Sequence, residues 1–138
     1  MDLEEVIADY FKSNPDGIAA VYLFGSQASG RNHPASDIDI ALLFDRNDPE
    51  FIRSRIEETL YKLPRAVRRE VHPVVMNTGS EVLLKQILGK GRCLLVFDAR
   101  KLAEFKMNAL ARIVDYSYYL KRLQNGFIRN LQESELRD

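Results

Sequence analysis

Only one cysteine, Cys93, occurs in the 138 residues, so the chain closes no disulfide on itself. Its place in the apolar run Arg92 to Phe97 points to a buried, inert thiol. Charge of one sign is also missing. Twenty Lys and Arg balance twenty Asp and Glu, so no global field draws the chain to nucleic acid or to an anionic membrane. Nucleic acid is therefore not expected as a direct partner. No apolar run approaches the roughly 20 residues that span a bilayer. The start, MDLEEVIADYF, is acidic and lacks the basic-then-apolar layout of a secretion signal. Repeats and low-complexity segments are absent too. The expectation is a soluble, cytoplasmic chain with no membrane contact. It is read as one domain over 1–138, with a core over 18–97 and a C-terminal helical region over 98–138.

What is present alternates helix and strand. Leu3, Val6, Ile7, Tyr10 and Phe11 recur at helical spacing, and Asn14-Pro-Asp-Gly17 breaks that helix. Ile18 to Phe24 is β-rich and almost wholly apolar, as a strand covered on both faces should be. Asp37 to Phe44 reads as a second strand. Asp48 and Pro49 suit an N-cap and the first helical turn, followed by a stripe of Ile52, Ile56, Leu60 and Leu63 that Pro64 ends. Arg69 to Met76 is a third strand whose internal Pro73 marks an edge or a bulge. Ser80 caps a helix carrying Val82, Leu83, Ile87 and Leu88 to a stop at Gly89, and a short strand over 92–97 follows. Asp98 caps a last helix with the stripe Leu102, Phe105, Ala109, Ile113, Tyr116, Leu120 and Leu123. Gly126 either ends or bends it. The class is α/β, with strands that need not all be parallel.

Between the first two strands lies FGSQASGRNHPASDIDIALLF, Phe24 to Phe44. Gly25 follows a strand directly, where a residue without a side chain lets the backbone turn sharply and approach a ligand. Ser26 adds a hydroxyl, and free N–H groups at such a turn cradle phosphate oxygens. Asp37 and Asp39 are two apart on a strand and project from one face. At about 6 Å their carboxylates repel by roughly 3 kcal/mol at an effective dielectric near 20. A divalent cation removes that cost, and Mg²⁺ suits one or two carboxylates completed by water and substrate phosphates. Taken singly, Gly-Ser is a common loop dipeptide and Asp-x-Asp a common solvated turn. In this order, each at the edge of its own strand, they point to phosphoryl or nucleotidyl transfer.

Ten residues separate Ser26 from Asp37, giving Gly-Ser-x10-Asp-x-Asp. That pattern resembles the nucleotidyltransferase superfamily that includes DNA polymerase β, and the short chain is similar to its minimal nucleotidyltransferase group. Ser36 before Asp37 matches the family's Ser-Asp-x-Asp, and Gly30 fits its glycine after the turn. The segment from Leu83 to Phe105 is similar to the family's C-terminal half, so the likeness runs from about Ile18 to about Tyr119. It implies a single nucleotidyltransferase-fold domain with a mixed central sheet flanked by helices and a long C-terminal helix. It further implies ATP as donor, bound by Gly25, Ser26 and Ser36, and Mg²⁺ or Mn²⁺ held by Asp37 and Asp39. Many members are antitoxins of HEPN-domain RNase toxins, which implies such a toxin as partner and one of its tyrosines as the AMP acceptor.

One position departs from the family. At the place of the third carboxylate that later strands supply stands His72; Glu70, two residues earlier on the same face, is the alternative source of that charge in a shifted register. His72 is either a functional replacement, completing a catalytic set with Asp37 and Asp39, or an idle strand-edge histidine. Imidazole suits Mn²⁺ or Zn²⁺ better than Mg²⁺. The departure keeps open a non-catalytic antitoxin that neutralises its partner by binding alone. Adenylylation of a small hydroxyl compound is a third reading, disfavoured because no second domain remains to build an acceptor pocket. Arg31 and His33 read as loop residues, and Arg65, Arg68 and Arg69 as a solvated connection. Tyr118, Tyr119, Phe127 and Ile128 lie off the core stripe, where a partner would dock.

Overall fold

The computed structural model describes residues 2–25 and 37–137, the side chains of the last four excepted. In chain order the elements are α1 (Leu3–Ser13), β1 (Ile18–Phe24), β2 (Ile38–Phe44), α2 (Pro49–Val67), β3 (Val71–Val75), α3 (Glu81–Lys90), β4 (Arg92–Val96) and α4 (Ala99–Arg137). The four strands form one mixed sheet in the order β3-β2-β1-β4. β1 runs antiparallel to both β2 and β4, while β2 and β3 are parallel. This is the expected mixed α/β architecture. No helix among the described residues is long and apolar enough to cross a membrane.

Helices cover the sheet on both faces. Ile7 and Phe11 of α1 and Leu63 of α2 pack with Ile18, Val21, Leu23, Ile38, Ile40, Leu42 and Phe44 on one face. Leu84 and Ile87 of α3, with Leu102 and Ala109 of α4, pack with Ala20, Tyr22, Phe24, Ala41 and Leu43 on the other. Every residue of β1 is buried, which explains its unbroken apolar run. Each large side chain withdrawn from water contributes about 1.5–3 kcal/mol. The two central strands thus anchor the sheet, and the chemistry-bearing residues sit at their ends.

The helix starts follow their caps. Asp2 accepts a hydrogen bond from the Glu5 N–H at 2.8 Å, Asp48 from Glu50 and Phe51, and Ser80 from Leu83. Asp98 accepts from the Lys101 N–H at 3.0 Å, as an N-cap does. Pro73 lies on the edge strand β3, as expected for a residue with no N–H to donate.

Several boundaries and faces differ from expectation. α2 does not stop at Pro64 but runs a further turn to Val67, closed by the Arg68 N–H on the Pro64 carbonyl at 2.8 Å with Arg68 left-handed at φ 57°. A proline so near the end removes one helical hydrogen bond only. The α2 stripe is also shifted, with Thr59 and Arg55 buried and Leu60 exposed. Thr59 satisfies its hydroxyl on the Arg55 carbonyl at 2.8 Å, and Arg55 donates to Glu58 and to the Asn14 carbonyl. α3 continues past Gly89 to Lys90, buries Leu84 and Ile87, and leaves Val82 exposed. Cys93 is exposed, not buried, because β4 is an edge strand; local desolvation still pushes its thiol above the ordinary value.

α4 runs through Gly126 as one helix of 39 residues. Its stripe packs on the sheet at Leu102, Phe105, Ala109 and Ile113 and then continues without cover. Tyr116, expected in the core, is exposed, as are Leu120, Leu123, Phe127 and Leu131.

Candidate active site

The β1–β2 antiparallel pair brings its motif residues to one end of the sheet. Phe24 is the ladder partner of Asp39, so the turn residue Gly25 comes up beside the Asp39 side chain. Gly25 is left-handed at φ +69°, a conformation that glycine adopts at no steric cost. A β-carbon there would lie 2.3 Å from Asp39 Oδ2. Glycine is therefore required twice, for the turn and for room beside the carboxylate.

On its other side β2 lies against β3, and this parallel register makes His72 the partner of Asp39 and Val71 the partner of Ile38. The register is pinned next to the site by the Ile38 N–H on the Glu70 carbonyl at 2.9 Å. His72 consequently stands directly beside Asp39 across the β2–β3 pair. Its Nε2 lies 3.7 Å from Asp37 Oδ2 and 3.8 Å from Glu70 Oε2. Its Nδ1 faces Asp39 Oδ1 at 3.9 Å. One imidazole thus stands among three carboxylates, and none of these distances is short enough for a hydrogen bond.

Exposure increases outward, from 32% of the side chain at Asp39 to 79% at Glu70. Burial raises the Asp39 carboxyl above its ordinary value; attraction to His72 opposes this and repulsion from Asp37 adds to it. Asp39 is the member whose charge is least solvated and most in need of a cation. A donor atom from each of Asp37, Glu70 and His72 lies within 4.8 Å of the others, a group able to hold a metal ion. The donor set fits a divalent cation.

The structure thus gathers Gly25, Asp37, Asp39, His72 and Glu70, all singled out from sequence. Ser26, Gly30, Arg31, His33 and Ser36 lie outside the described residues. Two cavities, of about 300 and 240 Å³, lie elsewhere: they are lined by Asn47, Pro49 and Ile52 and by Asn77, Asn108 and Arg112, beyond the far ends of β2 and β3. Neither holds any residue of the cluster. Sequence reasoning missed Asn77, whose side chain closes the far end of β2 by accepting from the Phe44 N–H at 2.8 Å and donating to the Phe44 carbonyl at 2.9 Å. No local signal marks it, since the contact spans 33 residues.

Comparison with known proteins identifies the family and the fold. A family model described as "Polymerase beta, Nucleotidyltransferase" matches residues 5–100. The chain is 32% identical over 89 residues to the protein adenylyltransferase MntA of Shewanella oneidensis, a match covering 64% of this chain and 62% of that protein. The chain therefore spans less than two thirds of the length of that curated relative. Among solved structures, a crystal structure of a toxin-antitoxin with AMP-PNP superposes with a TM-score of 0.68 at 27% identity, covering 95% of this chain and 99% of that one. A tri-AMPylated Shewanella oneidensis HEPN toxin in complex with MNT antitoxin gives a TM-score of 0.61 at 23% identity, over 94% and 95% of the two chains. At that identity the likeness speaks for the fold.

Proposed function

The chain belongs to the polymerase β nucleotidyltransferase family, and from that premise we propose that it is a cytoplasmic antitoxin transferring AMP from ATP to a hydroxyl, of the tyrosine class, on a HEPN-domain RNase toxin. The observation that carries this reading is the meeting of Gly25, Asp37 and Asp39 at one end of the β1–β2 pair, in the Gly-Ser-x10-Asp-x-Asp spacing. A relative named protein adenylyltransferase and a toxin-antitoxin fold seen with AMP-PNP support the donor and the partner.

In this reading the turn at Gly25, with Ser26 and Ser36, receives the triphosphate. Asp37 and Asp39 would hold Mg²⁺ or Mn²⁺, which would supply Lewis-acid stabilisation of the charge that develops in the transfer. The acceptor oxygen forms a bond to the α-phosphorus as the bond to the β-phosphate oxygen breaks. Pyrophosphate leaves with that electron pair, and the hydroxyl proton passes to water at this solvent-exposed cluster. A modified tyrosine at the toxin's RNase site would block it.

A second reading is favoured by one observation, the imidazole of His72 in the register position beside Asp39. It is neutralisation by binding alone. Incubation with α-labelled ATP, Mg²⁺ or Mn²⁺ and the HEPN partner separates the two. Label on the partner that disappears in Asp37→Ala/Asp39→Ala supports transfer. A partner bound and neutralised by that double variant, with no label from the parent protein, supports occlusion.

A further inference from the structure

We propose that His72 and Glu70, with Asp37, select a first-row transition ion of the Mn²⁺ or Zn²⁺ class in place of Mg²⁺. The location rests on the reading above, but the binding does not depend on transfer taking place.

The distances suit ligation. Donors that share an ion at about 2.0–2.2 Å lie roughly 3–4 Å apart around it. His72 Nε2 stands 3.7 Å from Asp37 Oδ2 and 3.8 Å from Glu70 Oε2, too far for hydrogen bonds and right for neighbours in a coordination shell. All three donors meet within 4.8 Å. The two ring nitrogens divide the work. Nε2 faces the two outer carboxylates, whereas Nδ1 faces Asp39 Oδ1 at 3.9 Å. The β2–β3 register sets Asp39 beside the ring, with its Oδ2 toward the Gly25 turn.

The selectivity follows from donor chemistry. Mg²⁺ demands oxygen donors and keeps its waters, so an imidazole in its shell is a poor exchange. Imidazole with two carboxylates is a donor set for Mn²⁺, Fe²⁺ or Zn²⁺. The substitution at position 72 would then change which ion the site uses, without emptying the site.

The test uses the full chain without nucleotide. Loss of the free Mn²⁺ paramagnetic resonance signal measures binding, and nitrogen coupling in the bound spectrum reports imidazole ligation. Wild type should show that coupling and hold Mn²⁺ against a 100-fold excess of Mg²⁺, on the order of the margins that ligand changes bring. His72→Ala should lose the coupling and at least 10-fold in affinity. Glu70→Gln should lose affinity comparably, and at 79% exposure the Glu70 side chain takes no part in core packing. His72→Asp should lose the preference over Mg²⁺. Unchanged Mn²⁺ binding in His72→Ala and Glu70→Gln, or equal competition by Mg²⁺, would overturn the assignment. AMP transfer equally fast with Mg²⁺ as with Mn²⁺ would overturn it too and leave the transferase standing. Nitrogen-coupled Mn²⁺ with no label on the partner would uphold it and sink the transferase.

Discussion

Gly25 and Asp39 occupy adjoining space, such that a β-carbon on the glycine would lie 2.3 Å from the carboxylate oxygen Oδ2. The turn and the second motif aspartate therefore constrain each other. Gly25→Ala must accept a left-handed backbone at about 1–2 kcal/mol and also displace Asp39. Urea denaturation should show a loss of about 1–3 kcal/mol. Label transfer should fall more than tenfold on the order of what a 1 Å misplacement brings. A variant with full stability and full transfer would show that the two residues are not coupled.

Asp39 carries a cost of its own. Burial lifts its carboxyl above the ordinary 3.8, so between 3.8 and the raised folded value the native state binds more protons than the unfolded one. Stability then falls as pH rises through that window and is recovered below it. Asp39→Asn removes the charge and should raise the melting temperature at neutral pH, while wild type and variant converge below pH 3.8. Thermal scans at the two pH values without divalent metal test this. A neutral-pH melting temperature below wild type would mean that contacts of the carboxylate outweigh its desolvation.

The fold and the site differ in how much of each could be read from sequence. The central strands were legible because β1 is buried on both faces and so carries no polar residue to confuse its period. The edge position of β3 was legible through Pro73. The α2 face was not, since Arg55 and Thr59 lie inside, and their hydrogen bonds to Asn14 and within the helix exist only in three dimensions. The end at Pro64 was overruled because a proline in a last turn costs a single hydrogen bond. Cys93 read as core from its neighbours, yet exposure is set by which strand is an edge, and no single strand records that. At the site, the motif spacing pointed to Asp37 and Asp39, but the pairing of Asp39 with His72 needed the parallel register.

The last helix was half legible for the same reason. Its apolar stripe keeps one spacing throughout, whereas its cover stops after Ile113. Ending the chain after Asp115 should leave the body folded, with a melting temperature within about 2–4 °C of the parent. Capture of the HEPN partner should be lost, as Leu123, Phe127 and Ile128 go with it. Calorimetry and co-purification measure both. A shortened chain that no longer unfolds cooperatively would mean that the distal helix supports the sheet after all.

The most direct measurement is the intact mass of the HEPN partner purified after co-expression with this protein. Co-expression with wild type should add the mass of one or more adenylyl groups, and co-expression with Asp37→Ala/Asp39→Ala should add none. A partner that is bound and silenced by wild type while keeping its unmodified mass would contradict AMP transfer and leave a nucleotidyltransferase fold acting by occlusion.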